Sequence, residues 1–545
     1  MRSIVILQTA RLGDLVQTTP LLRRLRKEYP GVPVTLVAQE SCAGILEGGG
    51  YCDTLVALPA SAFDSLADTA NQEAFPALAP FDAHPVFRTH HDLLVNLGND
   101  LGSAVLCDRI PAERKLGRIH TYEGELRLLG PWSKYLFAMV SHRTENLFNL
   151  VDIHQGLAGF APRPESRALH VPVERRDEAR ALLAAHGRRP GRKLVAFQAG
   201  ASGLQRAWSL DHFAALGRAL RAGADTDIAL VGDVRERERT EQLAAMIAED
   251  GNPSPILNLA GRTSLKLLPA ALAECDLLVS NDTGTIHIAA AVGTRALGLY
   301  FSTAWYSETA PYGEGHAVLQ VEIPCAPCSV AAPCPVQLCR GFLPPEAVSA
   351  AAEWMLRGSP ISEPPPAFQN LRLYLSRFLA NGSLAYLPVH PGPASESFQE
   401  GLLGRLMWGE ILGLARDPVL DSAWEGTVAG KGTAPRRAAL REALDALEVP
   451  VLQGVDIAGK LRAEFESEAP VRERIVFLHG NLAALGASLA AASRPAGLCG
   501  RFLHYEMMDM DYATYPMLAE ILEVKYRMLA DWIGRFRATV ARLES

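Results

Sequence analysis

Three stretches of this chain concentrate residue types that handle protons and phosphates. The first runs Thr9-Ala10-Arg11-Leu12-Gly13-Asp14-Leu15-Val16-Gln17-Thr18-Thr19-Pro20. Gly13 permits a tight turn, and Asp14 follows where a short apolar run gives way to a helical pattern. A carboxylate there can cap free amides and favour the helix dipole. The same group, at the carboxyl end of a strand and facing a cleft, can accept a proton. Position alone favours the cap.

The second stretch is Phe197-Gln198-Ala199-Gly200-Ala201-Ser202-Gly203-Leu204-Gln205-Arg206-Ala207-Trp208. Gly200 and Gly203 flank small residues, so backbone amides can approach an anion. Arg206 can add a charge-assisted contact to phosphate. A Gly-rich surface loop reads the same way, and no Walker or dinucleotide fingerprint is present. The third stretch is Ser280-Asn281-Asp282-Thr283-Gly284-Thr285-Ile286-His287. Here an apolar strand enters a small-residue helix whose first amides, at Thr283, Gly284 and Thr285, suit a pyrophosphate. His287, in the first turn of that helix, suits a phosphate or ribose role, although a lone histidine is more often a core residue.

Cys325, Cys328, Cys334 and Cys339 form a fourth cluster, spaced C-x2-C-x5-C-x4-C. In a reducing compartment that spacing favours a closed thiolate site for structural zinc or iron over disulfides. Reduced structural cysteines are the next reading.

The elements that must position these residues follow from periodicity. Apolar runs at 4–7, 34–37, 93–97, 194–197, 228–231, 277–279 and 297–299 lack alternation, as strands buried on both faces do. Helical patterns at 20–28, 210–222, 236–248 and 265–274 lie between them. This rhythm predicts doubly wound α/β domains. A Pro/Arg-rich interruption near 165 divides the rhythm into two domains, with a cleft between them as the default ligand site. A Pro-rich linker at 359–366 precedes a tail with helical patterns at 371–379, 396–414, 436–447, 472–492 and 518–543.

The chain has 545 residues, of which 48% are hydrophobic and 21% charged, and that usage excludes a largely disordered protein. Its 53 Lys+Arg against 60 Asp+Glu give a net charge of −7, so a general nucleic-acid binder is not expected. Any phosphate site must be made locally. No transmembrane segment and no signal peptide are expected, which predicts a cytoplasmic protein compatible with peripheral contact at the inner membrane.

Taken in order, Arg11-Leu12-Gly13-Asp14 with Thr18-Thr19-Pro20, then Gly200 to Trp208, then Asn281-Asp282-Thr283-Gly284 with His287, resemble glycosyltransferase family 9, the ADP-heptose heptosyltransferases. Val151-Asp152-Ile153-His154 and Gly261-Arg262-Thr263-Ser264-Leu265 look like the same family's text, so the resemblance spans residues 1 to about 350. It implies a GT-B fold: two Rossmann-like domains across a cleft, the acceptor on 1–165 and the sugar nucleotide on 166–355, which includes a Cys knuckle at 325–339. Residues 367–545 would then be an all-helical C-terminal extension.

The resemblance also assigns roles. Asp14 matches the general base, and Arg206 matches a position, often Lys, that steadies the donor phosphates. Gly13, Gly200, Ala201 and Ser202 match the loops that face the donor. Asp282, Thr283, Gly284, Thr285 and His287 match the diphosphate segment, and Glu236 matches an acidic residue that holds the ribose. The implied activity is inverting transfer of a sugar, heptose from ADP-heptose, to a hydroxyl of a lipopolysaccharide or protein acceptor, without a cofactor. A transferase using another nucleotide sugar and a non-catalytic scaffold of the same fold are the rivals. The tail would serve a protein acceptor or an oligomer partner.

Overall fold

In the computed structural model the described residues are 1–59, 84–139, 143–165, 168–201, 203–222, 225–328, 334, 336–358, 370–389, 396–429, 434–467, 470–491 and 515–542. The first sheet contains β1 (Ile4–Gln8), β2 (Val34–Gln39), β3 (Thr54–Leu58), β4 (His91–Asn96), β5 (Ala112–His120) and β6 (Leu126–Leu129), in the order β3-β2-β1-β4-β5-β6. All neighbours are parallel except β5 and β6. The central strand β1 is buried along its whole length, as its unbroken Ile-Val-Ile-Leu run requires.

The second sheet is built from β7 (Lys193–Gln198), β8 (Thr226–Leu230), β9 (Ile256–Asn258), β10 (Leu277–Asn281), β11 (Arg295–Tyr300), β12 (Ala317–Val321), β13 (Leu371–Phe378) and β14 (Leu384–Pro388). Its order is β14-β13-β12-β11-β10-β7-β8-β9. The strand direction of progression reverses between β1 and β4 in one sheet and between β7 and β10 in the other. Such switch points open a crevice at the carboxyl ends of the strands.

Helix α1 (Leu12–Glu28) has Asp14 in its first turn, as the capping reading expects, and takes in the helical pattern at 20–28. Pro20 donates no backbone hydrogen bond, which leaves the Val16 carbonyl open. The Thr19 hydroxyl fills that place, donating to Val16 O at 2.7 Å, so the helix continues through the proline. The remaining helices that matter below are α2 (Leu150–Leu157), α3 (Leu210–Ala222), α4 (Arg237–Ala248), α5 (Gly284–Val292), α6 (Glu396–Ile411), α7 (Ala434–Glu466), α8 (Arg472–Ala491) and α9 (Tyr515–Arg542).

The tail is not helical from its start. Residues 371–379, expected as its first helix, form strand β13, which pairs antiparallel with β12 and β14. Leu371, Leu375 and Leu379 satisfy a helical spacing, but Leu371 and Leu373 also satisfy alternation. The open edge of β12 decides between them. Leu371 and Leu373 enter the core of the second sheet. Tyr374 points the other way and stacks on Tyr306, with ring centroids 4.1 Å apart. Beyond the hairpin the chain is helical. Helices α7 and α9 lie antiparallel, tied by Arg537 Nε to Asp445 at 2.8 Å and Arg462 Nε to Glu523 at 2.8 Å. Gly454 lets them approach, because a Cβ there would fall 2.1 Å from the Tyr526 ring. The expected helix at 436–447 is only part of α7. The Pro-rich linker lies outside the described residues.

The tail docks on the first domain through a buried polar joint. Arg405 of α6 is buried, donates to the Leu147 carbonyl and to Ser383 Oγ at 2.7 Å, and lies 4.6 Å from the Phe148 ring centroid. Beside it, Asp152 of α2 accepts from Leu384 N at 2.8 Å and from the Tyr312 hydroxyl at 3.2 Å. Burial pushes the Asp152 carboxyl up to about 7, against the opposing pull of Arg405. Among the described residues no helix is long and apolar enough to cross a membrane.

Candidate functional site

A cleft of about 730 Å³ lies where the two switch points face each other. Arg11, Leu12, Gly13, Asp14 and Gln17 line it from the first domain. Gln198, Ala201, Arg206, Asp233, Arg235, Glu236, Asp282, Thr283, Gly284, His287 and Thr309 line it from the second. Nine residues singled out from sequence therefore meet here: Gly13, Asp14, Ala201, Arg206, Glu236, Asp282, Thr283, Gly284 and His287. Gly200 lies just beneath Glu236, and Thr285 sits in the first turn of α5 without lining the cleft. Ser202 lies outside the described residues.

Asp14 occupies the third position of α1. There it accepts from Arg11 N at 3.2 Å, so the capping reading and the cleft-facing reading are both met. Burial pushes its carboxyl above the ordinary range, the Arg11 N–H opposes this, and Asp282 across the cleft adds to it. A carboxylate tuned upward in this way is a better proton acceptor.

The two walls meet closely. A Cβ on Gly13 would come within 2.8 Å of His287 Cδ2, so only glycine allows this approach. Gln17 Nε2 donates to Gly13 O at 3.4 Å and lies 3.3 Å from His287 Nε2. An amide N–H can only donate, so His287 Nε2 accepts and Nδ1 carries the proton. Burial brings the imidazole down to about 4, which leaves it neutral at pH 7. Its Nδ1 is buried without a partner among the described residues. Beside the cleft, Arg143 of the first domain makes a forked pair with Glu308 of the second, with contacts of 2.6 to 3.0 Å.

On the second domain's wall, helix α5 starts at Gly284 with Thr283 as its cap, and no side chain caps the first amides. They stay available to an anion. The Arg206 guanidinium is paired with the Asp282 carboxylate. Asn281, fully buried, ties this wall together: its Nδ2 donates to Gly200 O at 3.0 Å and its Oδ1 accepts from Trp208 N at 3.0 Å. It thus holds both ends of the loop that carries Arg206. Glu236 accepts from Asp233 N at 2.8 Å and from Gln198 Nε2 at 3.1 Å. Its carboxylate lies over two glycines, since a Cβ would fall 1.4 Å from it at Gly200 and 2.9 Å from it at Gly232.

Gln17, Arg143, Gln198 and Asn281 are functional-site residues that sequence reasoning missed. Gln17, Gln198 and Asn281 stood inside the quoted stretches without being given a role of their own. Arg143 is a polar side chain outside them, with no spacing that sets it apart.

The cysteine cluster lies at the edge of the second domain, after β12. Among the described residues no group of three or more His, Cys, Asp or Glu is arranged to hold a metal. Cys325 and Cys334 are close enough to Cys339, and all three are close enough to Cys328, to help raise those thiols, while Cys339 is buried in the second sheet's core and Cys325 is exposed.

The family profile described as glycosyltransferase family 9 (heptosyltransferase) matches residues 84–337. Lipooligosaccharide heptosyltransferase 2 of Haemophilus ducreyi is 25% identical over 300 residues, covering 53% of this chain and 80% of that protein. Lipopolysaccharide heptosyltransferase 3 of Escherichia coli is 23% identical over 297 residues, covering 53% of this chain and 80% of its own. The family 9 glycosyl transferase from Veillonella parvula superposes with a TM-score of 0.49 at 20% identity, over 66% of this chain and 98% of that one. The profile match covers β4 to β6 of the first sheet and β7 to β12 of the second, with the loops that carry Arg206 and Asp282, and over that span the chain is similar to glycosyltransferase family 9, the heptosyltransferases.

Proposed function

We propose that this protein moves a heptose from ADP-heptose to a hydroxyl of a lipopolysaccharide acceptor, with inversion at the anomeric carbon. One observation carries the reading: Asp14 and the anion-binding wall of Arg206, Thr283 and Gly284 line one cleft from opposite domains. The acceptor hydroxyl gives its proton to Asp14 while its oxygen attacks the anomeric carbon. The bond from that carbon to the diphosphate oxygen breaks, and the electron pair leaves with ADP. Attack from the face opposite the leaving group inverts the centre.

Negative charge grows on the departing diphosphate. Preorganised amides at the start of α5 and the Arg206 guanidinium stabilise it without reorganising. Asp282 aims that guanidinium at the cleft. Neutral His287 offers its Nδ1 proton as a further donor. Glu236, held over Gly200, is placed to accept from ribose hydroxyls. Each charge in the step meets a partner from this chain, and no step is routed through a metal. A cytoplasmic site of action, peripheral to the inner membrane, accords with a lipid-borne acceptor.

The test is product analysis. Purified protein, ADP-heptose and a heptose-deficient lipopolysaccharide core should yield a mass increase of one heptose and stoichiometric ADP. Transfer from another nucleotide sugar alone would replace the donor in this reading. Transfer to a protein hydroxyl and not to the core would replace the acceptor. Absence of nucleotide binding would leave a scaffold.

A further inference from the structure

Gln198 is the last residue of β7, beside the switch point with β10, and it lines the cleft while being only 5% exposed. Its amide is held at one end. Nε2 spans the Glu236 carboxylate, at 3.1 Å from Oε1 and 3.3 Å from Oε2. Its other end is open: Oε1 is buried with no hydrogen-bond partner among the described residues.

The carboxylate fixes which end is which. Turning the amide over would set its carbonyl oxygen against the Glu236 oxygens, acceptor against acceptor. The carbonyl therefore cannot escape its vacant position by a flip. A buried acceptor without a donor is costly, and such groups in native structures call for a ligand or water. A donor hydroxyl entering the cleft would satisfy it.

We propose that Gln198 is a second ribose-reading residue, its carbonyl accepting from one hydroxyl of the donor's vicinal diol while Glu236 accepts from the other. The inference rests on the nucleotide-sugar reading above and deepens it. A vicinal diol presents two O–H donors side by side, and the cleft presents two acceptors side by side on one linked pair of side chains. The link through Nε2 also means that each acceptor orients the other. Gly200 makes room for the arrangement, because any side chain there would displace the Glu236 carboxylate.

The experiment is isothermal titration of the full chain with ADP, 2′-deoxy-ADP and 3′-deoxy-ADP. The wild type should prefer ADP to both deoxy forms. In Gln198→Leu the preference over one of them should shrink by about threefold to tenfold, the worth of one hydrogen bond. The preference over the other, set by Glu236, should persist. Because each preference is a ratio taken on one sample, partly unfolded variant protein does not distort it. Gln198→Asn, which keeps an amide but withdraws it, should show the same narrowing.

Equal loss for all three nucleotides would overturn the proposal, leaving Gln198 as a prop for Glu236. Unchanged affinities would also overturn it. So would a variant that stops distinguishing ADP from inosine diphosphate, since the carbonyl would then read the base. If the wild type binds no nucleotide at all, the donor reading fails first and this inference with it.

Discussion

Two buried polar clusters join separate parts of this chain, and they differ in what they leave open. In the joint between the tail and the first domain, both Asp152 oxygens are engaged, one by the Tyr312 hydroxyl and one by the Leu384 N–H. In the cleft, Gln198 Oε1 and His287 Nδ1 are buried without partners among the described residues. Both clusters carry the cost of burying polar groups. The joint offsets most of it internally, with only Arg405 Nε of the groups named left without a partner among the described residues, and so holds elements together. The cleft leaves part of it to be offset by whatever binds. The contrast separates a structural node from a site more sharply than residue type does, since each contains an upward-shifted aspartate.

The contrast breaks if the two aspartates respond alike, and the largest effect expected is at Asp14. Asp14→Asn keeps an acceptor for the Arg11 N–H but removes the base. Transfer should fall about 10²- to 10⁴-fold, with the melting temperature unchanged or raised. An equal loss of stability would make Asp14 another joint residue. Next in size is Arg405→Ala, read by denaturant titration. It removes a buried cation beside Asp152 and should cost about 3–5 kcal/mol, while the surviving folded protein keeps its nucleotide affinity.

A smaller effect separates the clusters by pH. Because the Asp152 carboxyl titrates at about 7 in the folded chain, against an ordinary 3.8, its protonated form is the stabilising one. Its contribution is complete below that ordinary value and is lost as pH rises through about 7. The melting temperature should therefore decline between pH 5 and 8 by more in the wild type than in Asp152→Asn. Asp14 is raised in the same direction, so Asp14→Asn should flatten the curve as well, but only Asp14→Asn should alter transfer. The smallest effect is none: EDTA should leave transfer unchanged, because Arg206 and the amides at the start of α5 meet the diphosphate. Loss of transfer that zinc or iron restores would give Cys325, Cys328, Cys334 and Cys339 a role the cleft does not supply.

Much of this arrangement was legible beforehand, for reasons that differ by element. The parallel strands announced themselves because burial on both faces demands uninterrupted apolar runs, as in Ile4-Val5-Ile6-Leu7. The loops that reach the cleft were legible because turns at strand ends need small and polar residues, and these stand out against such runs. The start of helix α1 was legible from Asp14, but its passage through Pro20 was not, because only the side-chain geometry reveals that the Thr19 hydroxyl takes the missing donor's place. Strand β13 was misjudged because its leucines fit both periods, and the deciding partner, β12, lies some fifty residues away in sequence. Gln17, Gln198 and Asn281 lay inside the quoted stretches, but nothing local assigns them a role. Each acquires its role from a residue on another element. The cysteines stay close enough to act on one another's titration, although their exposure runs from buried Cys339 to exposed Cys325.

The hairpin of β13 and β14 has a consequence for how the protein can be divided. The family match ends at residue 337, yet the second sheet ends at Pro388. A chain cut back to the recognisable portion would leave β12 as a bare edge, with an unpaired row of backbone donors and acceptors ready to template pairing with another copy. It would also strip the cover from Tyr306, now stacked on Tyr374. Such a fragment should associate and precipitate where the whole chain stays dispersed. Inheritance and folding therefore draw their borders in different places: what is shared with relatives stops short of what can stand alone.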